Sequence, residues 1–487
     1  MIDRPNYFGE AMKRAIRWVD LFAILAGVGL LGVSGCAHYQ PKPLDPVAGA
    51  RRLERRSLTD PGLKSFMEQN RPTPLAVWPM PAWGLEDLTL AAFYFHPDLD
   101  IARAGWATAR AGQRTAGQRP NPSLNVAPGR NTTTGTPSRG LLTSFLDLTV
   151  ETSGKRGARQ ERAYHLAEAA RFHIAAVAWQ VRSGVRQNLA ALFAAREQVR
   201  LLQQQQELQN ENVRRMEQRQ AAGEFSAFQK SQARLLAEQT RLALRDAEWR
   251  ASEAEIQMAS AIGMIREALE GISLSFDQLD EHPAGITLNQ ARTQALMNSA
   301  DLLGGLAEYA ASEAALRLEI ARQYPDVHLG PAYEFDQGDN KWSLGLNLSL
   351  PFFNTNQGPI ASAEARRTAA AARFNGLQLR VIESVARAMA AYRIALKKHA
   401  DADAIKTGIA AQVQRVEARL AAGELSGADL VAIRLEMNAA SLAHLQAFSQ
   451  VQKALGALED ALQSPLGLPP AAWQDEPRTH AHADGGG

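Results

Sequence analysis

The chain has 487 residues, and its 53 lysines and arginines stand against 51 aspartates and glutamates. So balanced a charge advertises no polyanion-binding surface and excludes nucleic acid as an expected partner. A single cysteine excludes internal disulfides, thiolate zinc sites and iron–sulfur clusters, and a mean hydropathy of −0.25 excludes a bundle of transmembrane helices.

The first predicted element is an address. Arg4, Lys13, Arg14 and Arg17 precede an apolar run from Leu21 to Val33 that is too short to cross a bilayer comfortably, the pattern of an export signal. It ends in Val33-Ser34-Gly35-Cys36, which resembles the lipobox of bacterial lipoproteins. That resemblance implies cleavage before Cys36 and acylation of the cysteine; an uncleaved anchor helix with an incidental cysteine is the plainer alternative. Several acyl chains make a stable anchor where one binds only marginally. Ala37 lacks the acidic character that favours inner-membrane retention in lipoproteins, so the outer membrane is the expected destination.

A proline-rich lead-in from Pro41 to Pro81 follows, and then two long proline-free stretches, 138–282 and 360–464, filled with helix-forming Ala, Leu, Gln, Glu and Arg. In the first, Ile174, Val177, Val181, Val185, Leu189 and Leu192 recur at steps of three and four, the seam of a packed helix. From Ala158 to Gln220 that helix would run about 95 Å at 1.5 Å per residue.

The second stretch repeats the first. Arg219-Gln220-Ala221-Ala222-Gly223-Glu224-Phe225-Ser226 returns as Arg419-Leu420-Ala421-Ala422-Gly423-Glu424-Leu425-Ser426, while Asp98-Leu99 matches Asp301-Leu302 and Pro122 matches Pro325. The spacing predicts a signal peptide over 1–35, a lipidated extended segment over 36–84, repeat 1 over 85–263, a linker over 264–287, repeat 2 over 288–464 and a disordered tail over 465–487 that carries His480 and His482.

Each repeat is expected to open with a helix whose start is marked by Pro97 and Asp98 in the first copy and by Ser299 and Asp301 in the second. The period then changes to two. Val327, Leu329, Tyr333 and Phe335, and then Leu344, Leu346, Leu348 and Leu350, alternate with small or polar residues; Leu124 and Val126, then Leu146, Leu148 and Val150, do so more weakly. Each repeat therefore offers one β-hairpin between helical blocks, with a long loop from Gly129 to Gly140 and a short one from Asp336 to Lys341. Such two-faced strands of about ten residues suit a soluble sandwich or a membrane barrel with a wet lumen. Four strands cannot close around a lumen and open edges are forbidden in lipid, so several chains would have to share one barrel. Lys155, Arg156 and Arg159, just beyond a strand, are expected at headgroup level, as a solvated cluster or as a substrate contact.

The chain thus reads as mainly α with a small β portion, built from a duplicated helix, β-hairpin, long-helix repeat. Together with the lipobox and the paired Arg-x-Ala-Ala-Gly-Glu-x-Ser turns, this resembles the TolC-like outer membrane efflux family. The resemblance implies a homotrimer with a 12-stranded outer membrane β-barrel, four strands per chain, continued by an α-helical tunnel through the periplasm of a Gram-negative cell. It implies a passive duct with no catalytic residues, no metal and no cofactor beyond the lipid on Cys36. The implied partners are a periplasmic adaptor, a proton-driven inner-membrane pump and outer-membrane lipid. Carried over by position, the adaptor-contact tips are Gly223, Ser226, Gly423 and Ser426, and Asp429 stands where the family has one aperture acid; Ala432 replaces the next, so Glu424 and Glu224 are expected to contribute to the acidic ring instead. The stretch Glu151 to Arg159, with its Gly154-Lys155-Arg156, is similar to one in cobalt-zinc-cadmium efflux components. The rival readings are a lipid-anchored periplasmic adaptor, which needs only one hairpin, and a coiled-coil structural lipoprotein without a pore, which has no use for the alternating leucines.

Overall fold

The computed structural model describes residues 38–71, 74–135, 137–221, 226–279, 283, 285 and 287–466. Helix α1 (Pro46–Glu54) belongs, as far as Leu53, to a separate unit, and its first turn is capped by the Asp45 carboxylate. The remainder begins with α2 (Pro61–Asn70), where Asp60 accepts from the N–H groups of Gly62 and Leu63. The lead-in is therefore helical over 46–54 and 61–70 rather than extended: Pro46 and Pro61 sit at helix starts, where the missing N–H costs nothing.

Repeat 1 contains α3 (Leu85–Phe95), α4 (Pro97–Ala116), strands β1 (Ser123–Arg130) and β2 (Gly140–Val150), and helices α5 (Lys155–Ala221) and α6 (Ala227–Ile262). Repeat 2 contains α7 (Leu288–Asn298), α8 (Ala300–Ala321), β3 (Val327–Asp336), β4 (Asp339–Leu348), α9 (Gln357–Ala421) and α10 (Gly427–Leu462). Each repeat thus opens with two helices, not one. His96 and Ser299 adopt extended backbone and cap the second helix of each pair, which breaks an otherwise continuous apolar pattern.

At 67 residues α5 extends for about 100 Å. Its predicted seam is buried at Val177, Val181, Val185, Leu189 and Leu192, against a core that includes Leu63, Met67, Trp83, Leu88, Phe95, Met258 and Ile262. A second core joins Val385, Met389 and Tyr392 of α9 to Val451, Leu455 and Leu458 of α10 and Ala291 and Ala295 of α7. Each fully buried aliphatic side chain contributes about 1.5–3 kcal/mol. Arg56 ties the lead-in to repeat 1, donating to the carbonyls of Phe95 (2.8 Å) and Gly263 (2.6 Å) at the C-terminal ends of α3 and α6. Gly263 is left-handed (φ +87°), and a Cβ there would approach Phe95 O to 2.8 Å, so only glycine fits.

The repeats are joined where α5 meets α10. Arg182 donates to Glu459 (3.0 Å), Arg186 lies 3.2 Å from the same carboxylate, and Arg186 also donates to the Gln452 carbonyl (3.0 Å). All four side chains are buried. Burial pulls the Arg186 guanidinium below its ordinary value, against the opposing pull of Glu459. Beside them Asp460 accepts from Ser183 (2.7 Å) and Trp179 (3.1 Å), and burial raises its carboxyl above the ordinary range in spite of those bonds.

A carboxyl raised on folding binds protons more tightly folded than unfolded, so stability falls as pH rises from the ordinary carboxylate pKa through the raised one. Asp460→Asn is accordingly expected to match the wild type most closely in acid and to gain on it as pH rises to 7. Thermal unfolding at pH 4 and pH 7 checks this, and a gap that narrows with pH would contradict it.

Candidate functional site

The four strands form one antiparallel sheet in the order β1-β2-β3-β4. β2 pairs with β3 across the repeats, so each hairpin supplies half of the sheet, and β1 and β4 are its edges. The register puts Leu124, Val126, Leu146, Leu148, Val150, Val327, Leu329, Tyr333, Phe335, Trp342, Leu344, Leu346 and Leu348 on one face. Large side chains there are bare: Trp342 is 79% exposed, Leu344 73% and Leu346 68%. The other face carries Asn125, Thr143, Asp147, Thr149, His328, Glu334, Lys341, Ser343 and Asn347. His328 Nδ1 lies 3.1 Å from the Asp147 carboxylate and 3.4 Å from the Thr149 hydroxyl. Phe145 covers Gly330, where a Cβ would come within 1.9 Å of its ring.

Some bounds differ from the sequence expectation. β1 runs on through Gly129 to Arg130, and Asn131 N–H donates to Arg139 O, which narrows the long loop. The short loop is only Gln337-Gly338, both at positive φ, the two-residue turn that matches strand twist. β4 stops at Leu348, so Leu350 lies in the loop that carries Pro351, which has no N–H to give. Within the basic cluster only Lys155 is buried, Arg156 and Arg159 being part-exposed, and all three are held by local partners. Lys155 is buried and pairs with Asp326 at 2.7 Å, Arg156 donates to Gly117 O (2.7 Å), and Arg159 pairs with Glu151. Lys155 and Asp326 come from different repeats and pin the two hairpins at the base of the sheet.

At the far end of the long helices lie the turns. Cys36, Gly223 and Glu224 fall outside the described residues, as do His480 and His482. Ser226 caps α6: its hydroxyl accepts from Gln229 N–H (3.3 Å), while the Gln229 side chain accepts from Ser226 N–H (3.1 Å). Gly423 is left-handed (φ +78°), with no neighbour within 4 Å of where a Cβ would stand. Glu424 pairs with Arg419 at 3.0 Å. Asp429 accepts from the Ser426 hydroxyl (2.7 Å) and N–H (2.8 Å), and these bonds hold its carboxyl below the ordinary range. Sequence reasoning passed over Arg215, which lies so close to Gly427 that a Cβ there would meet Nη1 at 2.0 Å. A glycine in the first turn of a helix was the available signal of that close approach.

Between α5, α9 and α10 runs a cleft of about 960 Å³ with acids and bases on its walls, among them Glu197, Arg200, Glu207, Lys406 and Arg434. Among the described residues no group of three or more His, Cys, Asp or Glu is disposed to hold a metal, and no helix is long and apolar enough to cross a membrane.

Residues 94–264 and 291–463 match the family model described as outer membrane efflux protein. Over 223 residues the chain is 27% identical to the cobalt-zinc-cadmium resistance protein CzcC of Cupriavidus metallidurans, covering 45% of this chain and 52% of that one. Over 226 residues it is 28% identical to the pyoverdine export outer membrane protein OpmQ of Pseudomonas aeruginosa, covering 45% and 46%. The chain thus spans about half the length of the curated relatives it matches. In structure it is similar to the outer membrane protein VceC of Vibrio cholerae, with a TM-score of 0.64 at 19% identity over 78% of this chain and 96% of that one, a likeness of fold.

Proposed function

Because this chain belongs to the outer membrane efflux protein family, a family of channels rather than enzymes, we propose that it is the outer membrane channel of a tripartite efflux system. It is a passive duct for cargo delivered by an inner-membrane pump through a periplasmic adaptor. The observation that carries this reading is the sheet. One face is apolar and bare, the other is polar, and within the chain β1 and β4 each pair on one side only. In lipid every backbone group needs a partner, so such a sheet spans a membrane only when neighbouring copies close it into a barrel. We take three copies and twelve strands, and the domain bounds read from the sequence, as part of the proposal.

Cys36 is the proposed lipid anchor, and Gly223, Ser226, Gly423 and Ser426 the proposed adaptor contacts. Glycine admits a close backbone there, and serine offers a donor and an acceptor. Glu224, Glu424 and Asp429 are the proposed aperture acids; a ring of carboxylates favours cations. Similarity to CzcC, together with Gly154-Lys155-Arg156, favours divalent metal ions as cargo. Similarity to OpmQ at like identity favours an organic siderophore as the second reading.

Purified full-length protein in planar bilayers should conduct ions as an oligomer, its copy number read by mass. A detergent-solubilised monomer without conductance would overturn the channel. Cys36→Ser should abolish metabolic lipid labelling, and a label that persists removes the anchor. A photo-crosslinking side chain at position 226 or 426 should capture the adaptor, and its failure at both removes the tips.

A further inference from the structure

One residue breaks the pattern of the polar face of the sheet. At its level the register runs Asn125, Phe145, Ala332 and Ser343 across the four strands, so a phenylalanine stands on the side that otherwise carries small or polar residues there. An apolar ring loses by facing water, and this one is half-buried. It lies down on the sheet. Gly330 on β3 pairs with Gly345 on β4, and the Phe145 ring, coming from β2, reaches over both. A Cβ at Gly330 would overlap Cε2 and Cζ of the ring, whereas one at Gly345 would stand 3.6 Å from Cε2, an ordinary contact.

Two facing glycines weaken a sheet, because each loses backbone freedom on folding and packs no side chain of its own. A ring laid across them restores that packing and hides one of its own faces from water. The arrangement also clears the surface. With the ring flat, no side chain larger than that of Asn125 stands up from the sheet at this level, since its other members are Ala332 and Ser343. In barrels of roughly eight strands inward side chains fill the interior, and in barrels of roughly sixteen they leave an aqueous channel. At the intermediate size proposed for this protein, inward side chains decide how much of the lumen is free. Identical copies bring one Phe145 each to the same height.

We infer that Phe145 is a specificity-determining residue of the duct: held flat against the wall by Gly330 and Gly345, it leaves the barrel open, and that posture sets the largest solute the barrel passes. The inference rests on the channel reading, which turns the polar face of the sheet to the lumen. Gly330 is the positioning residue. A methyl group there takes the place of the ring, and the ring, tethered to β2, has the lumen left to occupy.

The test is single-channel recording of the full-length protein with polyethylene glycols of graded size, added on the side of the hairpin turns. The largest polymer that enters and lowers the current then gauges the barrel rather than the far end of the long helices. Gly330→Ala should lower this size limit, and Gly330→Ala combined with Phe145→Ala should return it to the value of Phe145→Ala alone, because no ring is left to displace. Gly345→Ala adds the same methyl group to the same face without overlap and should match the wild type. Gly345→Leu, whose Cβ fits but whose branches take the place of the ring, repeats the comparison with and without Phe145 if Gly330→Ala fails to assemble. A size limit unchanged in the glycine variants overturns the role of Phe145 and leaves the channel standing. A fall of equal size with and without the ring assigns the effect to the added side chain and overturns the role as well. Wild-type oligomers that do not conduct overturn the channel and this inference together.

Discussion

Leu344→Arg is expected to keep the sheet from inserting in the outer membrane and the oligomer from forming, while Ser343→Arg, one residue away, inserts as the wild type does. The two positions are successive on β4 and so point to opposite faces. Leu344 pairs with Pro331 on the bare apolar face, near the middle of the strand, and Ser343 pairs with Ala332 on the polar face, where small neighbours leave room for a long side chain. An arginine turned to lipid near the midplane costs about 2–4 kcal/mol per chain, whereas one turned to water costs little. Each copy in a shared barrel would incur that cost again, so the contrast should be near all-or-none. A gel for the unheated oligomer, with protease resistance of the strands in intact membranes, reads it, since neither depends on the lipid proposed at Cys36. Equal insertion of the two variants would refute the assignment of faces.

Glu459→Ala is expected to cost about 3–5 kcal/mol of stability, read as a fall in the urea midpoint, because it strips the carboxylate from two guanidinium groups that remain buried. Its other oxygen accepts from Leu466 N–H (2.9 Å), which would be lost as well. Glu459→Gln should fall between, keeping a hydrogen bond and losing the charge. The contrast is Glu161→Ala. Glu161 pairs with Arg317 at 2.6 Å between α5 and α8, but with side chains 40% and 60% exposed, and such a pair is worth at most about 1 kcal/mol. Similar losses from the buried and the exposed pair would show that the joint between the repeats is not a structural lock.

The parts of this protein that follow from local periodicity were legible in its sequence. The seam from Ile174 to Leu192, the strands of both hairpins and the paired turns at Ser226 and Ser426 all depend on neighbours within a few residues. What escaped depends on distant partners or on a dual-use residue. Arg182 and Arg186 went unremarked, because nothing near them in the sequence announces a carboxylate at Glu459. Lys155 looked like a headgroup contact because its partner, Asp326, belongs to the other repeat. Pro46 and Pro61 lent the lead-in an extended look, since proline begins a helix as readily as it prevents one. The break at His96 was hidden for the same reason, Pro97 being read as the start of the only helix there. At the second tip the turn was anticipated, but the local bonds of its residues were not: Asp429 is held by Ser426 and Glu424 by Arg419.

The two capping turns differ in one respect that reaches beyond helix stability. The residue that closes the turn is the neutral Gln229 in the first repeat and the anionic Asp429 in the second. In the proposed channel the mouth would hold twice as many turns as chains, and their capping residues would alternate between neutral glutamine and anionic aspartate around its rim. The proposed adaptor, with one binding mode, would meet two classes of capping turn there. Salt screens exposed charges, so raising its concentration would weaken one class and spare the other, and a single duplicated gene would have produced a rim whose half-sites can be tuned, or lost, separately.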